Sequence, residues 1–168
     1  MPETQHQIEP YLCRAGDADP RWTGDSFTYF LATGASTGGA FCLTDEHAKR
    51  GEAVPMHRHR GDVESFYVLD GEIMYFIEGQ PGVLATKGTF VHVPAGSVHG
   101  FRIESETARY LILTTPRHGE FYQAISLPSR AGGLPPLFPI AAEAIESACA
   151  AFDVEFVGPL PEQIKDRH

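Results

Sequence analysis

Two histidines two residues apart, His57 and His59, are followed five residues later by Glu64. These are metal-ligating side chain types at a spacing a β-barrel uses to turn ligands inward. Successive side chains of a strand alternate faces, so His57 and His59 point one way and Arg58 the other. Glu64 opens an apolar run, Phe66-Tyr67-Val68-Leu69, and can enter the same cavity from a neighbouring strand. A second segment, Gly88-Thr-Phe-Val-His-Val-Pro94-Ala-Gly96-Ser-Val-His99, adds His99 as a candidate fourth ligand. Four ligands leave coordination positions open on a five- or six-coordinate metal, which distinguishes a catalytic site from a closed structural one. Nitrogen and carboxylate donors without thiolates suit one divalent transition metal per chain, and ligand type alone does not choose among Ni, Mn, Fe, Co, Cu and Zn. An isolated His-x-His would mean no more than two surface histidines. His92 and His118 fall outside the pattern and carry no assignment.

The elements that must position these residues read as short strands. Residues 1–25 are polar and turn-rich, an N-terminal arm or short edge strands. Ser26 to Ala32, Ala40 to Thr44, Ile73 to Ile77, Phe90 to Val93, His99 to Ile103 and Arg109 to Thr115 are β-prone. Asp70-Gly71 is a hairpin signal, and Glu78-Gly79-Gln80-Pro81-Gly82 and Lys87-Gly88 are further turns. Many short strands between Gly and Pro turns predict an all-β sandwich or barrel over residues 26–133. Residues 134–168 change character, with a linker at Leu134-Pro135-Pro136-Leu137-Phe138-Pro139, a helix over Ile140 to Phe152, and a tail. Ile140, Ala144, Ile145, Ala148 and Phe152 share one side of that helix. It either packs on the barrel's outside, caps its mouth or makes a dimer contact. The segment Phe156-Val157-Gly158-Pro159 reads as extended. By two-residue alternation Phe66 shares the face of Glu64 and Phe101 that of His99, which makes both candidate substrate-binding residues. An aromatic wall beside a metal suits a planar aromatic ligand.

The two segments resemble the paired motifs of the cupin superfamily. Glycine at 51, five residues, His-x-His, four residues, glutamate, six residues and glycine at 71 fill the first pattern. Glycine at 88, five residues, Pro-x-Gly, two residues and His99 fill the second, which in the family ends in an asparagine where this chain has Ile103. The resemblance implies a double-stranded β-helix, the cupin jelly-roll barrel, here with a C-terminal helical segment. Within that superfamily the chain is most similar to single-domain quercetin 2,3-dioxygenase-like proteins. The softer features are Thr37-Gly38-Gly39, Phe66 to Gly71 and Phe156 to Pro159. The implied activity is metal-dependent dioxygenation of a flavonol-like or other enolic or phenolic aromatic, with ring cleavage and loss of carbon monoxide. Glu64 then has two open roles, ligand alone, or ligand and general base that takes the substrate's hydroxyl proton. The alternatives are a metal-dependent isomerase, lyase or hydrolase of a small carbonyl compound, in which the metal acts as a Lewis acid, and a non-catalytic small-ligand-binding cupin.

Bulk properties narrow the partners. The chain has 168 residues, 42% of them apolar, enough for one domain with a sizeable core. Its net charge of −9 argues against a phosphate-backbone partner and against an anionic membrane surface. Three dispersed cysteines, Cys13, Cys42 and Cys149, without a C-x-x-C pair predict reduced thiols in a cytoplasmic protein. The expected partners are a small aromatic substrate and dioxygen, with a homodimer as the expected assembly by analogy with the family.

Overall fold

The computed structural model describes residues 8–129, 132–135 and 140–162. The strands, in chain order, are β1 (Pro20–Thr23), β2 (Ser26–Ala32), β3 (Cys42–Lys49), β4 (Ala53–His59), β5 (Glu64–Asp70), β6 (Glu72–Ile77), β7 (Val83–Thr86), β8 (Phe90–Val93), β9 (His99–Ile103) and β10 (Thr107–Thr114). After them come helix α1 (Pro116–Ala124), β11 (Ser126–Pro128), helix α2 (Ala142–Phe152) and β12 (Val154–Gly158). Every strand pair is antiparallel. One sheet runs β11-β1-β2-β3-β10-β5-β8 and the other β12-β4-β9-β6-β7. This is the expected all-β jelly roll.

Alternation builds the interior. Along β5 Glu64, Phe66 and Val68 are buried while Tyr67 is exposed. Along β4 His57 and His59 are buried with half-buried Arg58 between them. Phe66, Val68, Ile73, Tyr75, Phe101, Ile103, Tyr110 and Ile112 meet in one core between the sheets. Burying each such side chain is worth about 1.5–3 kcal/mol, which makes this layer the main support of the barrel. The Asp70-Gly71 hairpin needs its glycine. Gly71 has φ +84°, and a Cβ there would collide with the Thr107 carbonyl.

Residues outside 26–133 are also woven into the sheets. β1, from the expected arm, pairs with β2 and β11. β12, from the expected tail, pairs with β4, the strand that carries His57 and His59. Helix α2 starts two residues later than expected, and its inward stripe is Ile145, Ala148, Cys149 and Phe152 rather than one through Ala144, which is exposed. That stripe meets Phe121 and Tyr122 of α1 and Val154 of β12 in a second apolar cluster. Helix α1 is an addition to the expected elements. Residues 136–139 of the expected linker lie outside the described residues. Cys13, Cys42 and Cys149 are all free. Among the described residues no helix is long and apolar enough to cross a membrane.

Candidate metal centre

The structure brings His57, His59, Glu64 and His99 together, with one ligand atom from each within 4.8 Å of the others and all four side chains buried. The two sheets share the work. His57 and His99 face each other across β4 and β9, while Glu64 comes from β5 in the opposite sheet. The Glu64 Oε2 lies 3.0 Å from His99 Nε2 and 3.4 Å from His59 Nε2.

The donor set fits one metal ion. The Nδ1 atoms of His57 and His99 lie 2.8 Å and 3.1 Å from the carbonyls of Pro55 and Ser97, each two residues earlier in the chain. An Nδ1–H donated to a carbonyl fixes the ring and leaves the Nε2 lone pair for a cation. His59 has no hydrogen-bond partner at either ring nitrogen although it is buried. Such an orphan demands an explanation, and a cation supplies one. Burial brings His57 down to about 3, helped by neighbouring His99, so its ring is neutral. Burial lowers His59 as well, partly offset by Glu64. Burial alone would raise the Glu64 carboxyl, but the contacts from His118, His59 and His99 outweigh it and hold it well below the usual range. For His99 burial works downward and Glu64 outweighs it, so that ring is raised. A divalent cation takes up an ionised carboxylate and neutral imidazoles, so its binding displaces the proton that Glu64 favours on His99.

Two residues without an expected role complete the surroundings of Glu64, and both come from α1. The Tyr122 hydroxyl donates a short hydrogen bond to Glu64 Oε1. His118 is wholly buried, stacks edge-on against His59 at 4.0 Å between ring centres, and places Nε2 3.8 Å from Glu64 Oε1. Neither of its ring nitrogens has a hydrogen-bond partner. A sequence signal for the helix does exist. Thr115 followed by Pro116 is an N-cap followed by proline in the first turn, and the Thr115 side chain accepts from the His118 amide. Arg117 ties the same helix to Asp62, to the Phe152 carbonyl and to Asp153. Asp62 is therefore the partner of Arg117, whereas Arg58 and Arg60 both pair with Glu155 on β12 at 2.9 Å. β12 runs beside β4, which sets Glu155 directly opposite Arg58.

A cavity of about 180 Å³ opens from His57, His59 and Glu64. Phe121 and Tyr122 of α1, Ile125 just beyond its end and Ile145 of α2 form part of its wall, so both helices border the cavity. Phe101 lines it as expected. Phe66 does not. It shares the face of Glu64, but two residues along β5 carry it one layer deeper, fully buried among Tyr75, Phe101 and Tyr110. Among the described residues the wall bears no lysine or arginine.

Residues 45–114, from within β3 to the end of β10, match the cupin domain family. The chain is 30% identical over 107 residues to quercetin 2,3-dioxygenase of Bacillus subtilis (strain 168). That match covers 64% of this chain and 32% of the relative, so the chain spans about a third of that relative's length. Among solved structures, an ectoine synthase from P. lautus is similar with a TM-score of 0.59 at 18% identity, over 79% of this chain and 97% of that one. A polyketide cyclase from Streptomyces resistomycificus gives 0.57 at 17% identity, over 82% and 92%. At these identities the two structures speak to the fold alone. The two motifs meet between the sheets of a jelly roll, and the match to the cupin domain family runs through every strand that carries them, so the chain contains a cupin domain at residues 45–114.

Proposed function

We propose that this protein is a metal-dependent dioxygenase of small enolic or phenolic aromatic compounds, with a quercetin 2,3-dioxygenase-like activity. The observation that carries the reading is the divided environment of Glu64. Its Oε2 lies among the ligand nitrogens, while Oε1 is held by the Tyr122 hydroxyl at the wall of an apolar cavity. The sequence similarity to the Bacillus subtilis enzyme supports the same chemistry. A transition metal held by His57, His59, Glu64 and His99 would supply Lewis acidity and electron transfer to dioxygen. The chain's own residues do the rest. Glu64 Oε1 takes the proton of the substrate hydroxyl, and Tyr122 keeps that oxygen turned to the cavity. Phe101, Phe121 and Ile145 pack the ring and exclude water. The volume favours one- or two-ring substrates, because it lies below the roughly 300–1,000 Å³ of sites for drug-sized ligands.

The test joins elemental analysis to an oxygen electrode. The purified protein should carry about one transition metal per chain and consume oxygen with an enolic or phenolic substrate. His57→Ala and His99→Ala should each lose most of the metal and the oxygen uptake. Unchanged metal content in both variants removes the site. Full metal content without oxygen uptake on such compounds moves the reading to Lewis-acid chemistry on a small carbonyl compound.

A further inference from the structure

The cavity has a second polar region that the metal centre does not use. Glu46 points inward from the middle of β3, in step with Thr44 and Ala48, and is 2% exposed. Its Oε2 accepts a hydrogen bond from Thr28 at 2.6 Å, and its Oε1 has no partner. Glu52, 8% exposed, accepts a short hydrogen bond from Ser26 at Oε1 and has no partner at Oε2. The buried Thr23 hydroxyl is also unpartnered. All three residues line the same cavity as His57 and Glu64. A carboxylate that served only to brace the barrel would be fully hydrogen-bonded, because an unpaired buried polar group costs about 1–3 kcal/mol or more. Among the described residues no lysine or arginine lines the cavity to neutralise the pair. Glu46 Oε1 and Glu52 Oε2 are therefore left without a donor.

We propose that Glu46 and Glu52 form a recognition end that receives a second hydroxyl of the substrate, so that the natural substrate is a dihydroxylated aromatic. This assignment rests on the dioxygenase reading for the first hydroxyl, which reaches the metal centre. A neutral hydroxyl suits the pair better than an ammonium. Burial pushes Glu46 up to about 8 and Glu52 up to about 7, so near neutral pH the pair retains protons and both gives and accepts hydrogen bonds. The aromatic ring of Tyr110, fully buried, lines the same cavity.

The experiment is calorimetric binding to the metal-loaded protein under anaerobic conditions, with matched phenols. Hydroquinone is compared with 4-methylphenol, and 4,4′-dihydroxybiphenyl with 4-hydroxy-4′-methylbiphenyl, so that no particular length is presupposed. In the wild type, at least one dihydroxylated member should bind about tenfold or more tightly than its methyl partner, because a site built to hydrogen-bond a hydroxyl rejects the analogue without it. In Glu46→Met and in Glu52→Met, with metal content unchanged, that preference should fall to about threefold or less. Equal binding of both members of both pairs in the wild type overturns the proposal, and this arm needs no variant to fold. A preference that survives in both variants also overturns it, as does tighter binding of 4-(aminomethyl)phenol than of hydroquinone. The hydroxyl preference without oxygen uptake upholds the recognition end and rejects the dioxygenase reading. Oxygen uptake without the preference does the reverse.

Discussion

Glu64 is the residue on which the chemistry turns, and its two oxygens are held by different parts of the molecule. Three of its neighbours were legible in the sequence. A strand's two-residue period converts His-x-His into a shared face, and the motif spacing brings Glu64 and His99 to it. His118 and Tyr122 were not legible, because they sit more than fifty residues beyond Glu64 on a helix that meets it only through tertiary docking. Nothing local marks them as partners of a carboxylate. Their role is nevertheless open to measurement. Tyr122→Phe removes the hydroxyl on Oε1 and leaves Oε2 and the three histidines untouched. Metal content and melting behaviour should stay as in the wild type. Turnover should fall roughly 10–100-fold with little change in KM, and the pH profile of kcat should move, since the hydroxyl tunes the proton-accepting oxygen. An unchanged kcat and pH profile would reduce Tyr122 to cavity lining.

At the scale of elements, the strands were the readable part and the docking of helices was not. Hydrophobic alternation and glycine turns mark β2, β5, β6, β8, β9 and β10 closely, whereas the polar half of β3 beyond Thr44 and the short β7 carry no such signal. The docked faces of α1 and α2 depend instead on where the chain returns after β10. Helix α1 contains Gly119 in its middle, a residue that weakens helices and so obscures the pattern. The structure shows why a glycine stands there. A Cβ at Gly119 would lie 2.5 Å from both Cβ and Sγ of Cys42, at the start of β3. Gly119→Ala in an exposed helix would stabilise by about 1 kcal/mol. Here it should destabilise by about 1–3 kcal/mol in urea unfolding, because the helix must lift off the sheet. Lifting α1 also moves His118 and Tyr122 from Glu64, so the loss of turnover should match or exceed that of Tyr122→Phe. A more stable, fully active variant would show that α1 is not seated by this contact.

For the whole molecule, the buried acids set how stability responds to pH, and they pull in two directions. Burial works against the Asp45 charge, but Arg109 and His47 outweigh it and bring the carboxyl down to about 2 from an ordinary 3.8. That contribution is present above pH 3.8 and is lost as the pH falls toward 2. Glu46 and Glu52 behave oppositely. Burial raises them to about 8 and about 7 from an ordinary 4.5; Glu52 and Asp45 add to the rise of Glu46 while Thr28 and Thr44 oppose it, and Asp25 adds to the rise of Glu52 while Ser26 and Lys49 oppose it. The folded chain therefore holds protons that the unfolded chain has released. Their contribution is complete below pH 4.5, falls as the pH rises through 7 and 8, and is level beyond. Metal binding follows another course, because acid protonates the histidine ligands and releases the ion. The ion's contribution is common to the wild type and Glu46→Gln, so it cancels in their difference. Glutamine keeps the hydrogen bond from Thr28 and cannot ionise. Urea unfolding of the metal-loaded proteins should give similar stabilities at pH 5, whereas at pH 8.5 Glu46→Gln should be the more stable of the two. A difference that stays constant between the two pH values would mean that Glu46 titrates as an ordinary carboxyl, and that the cavity end it lines is open to water.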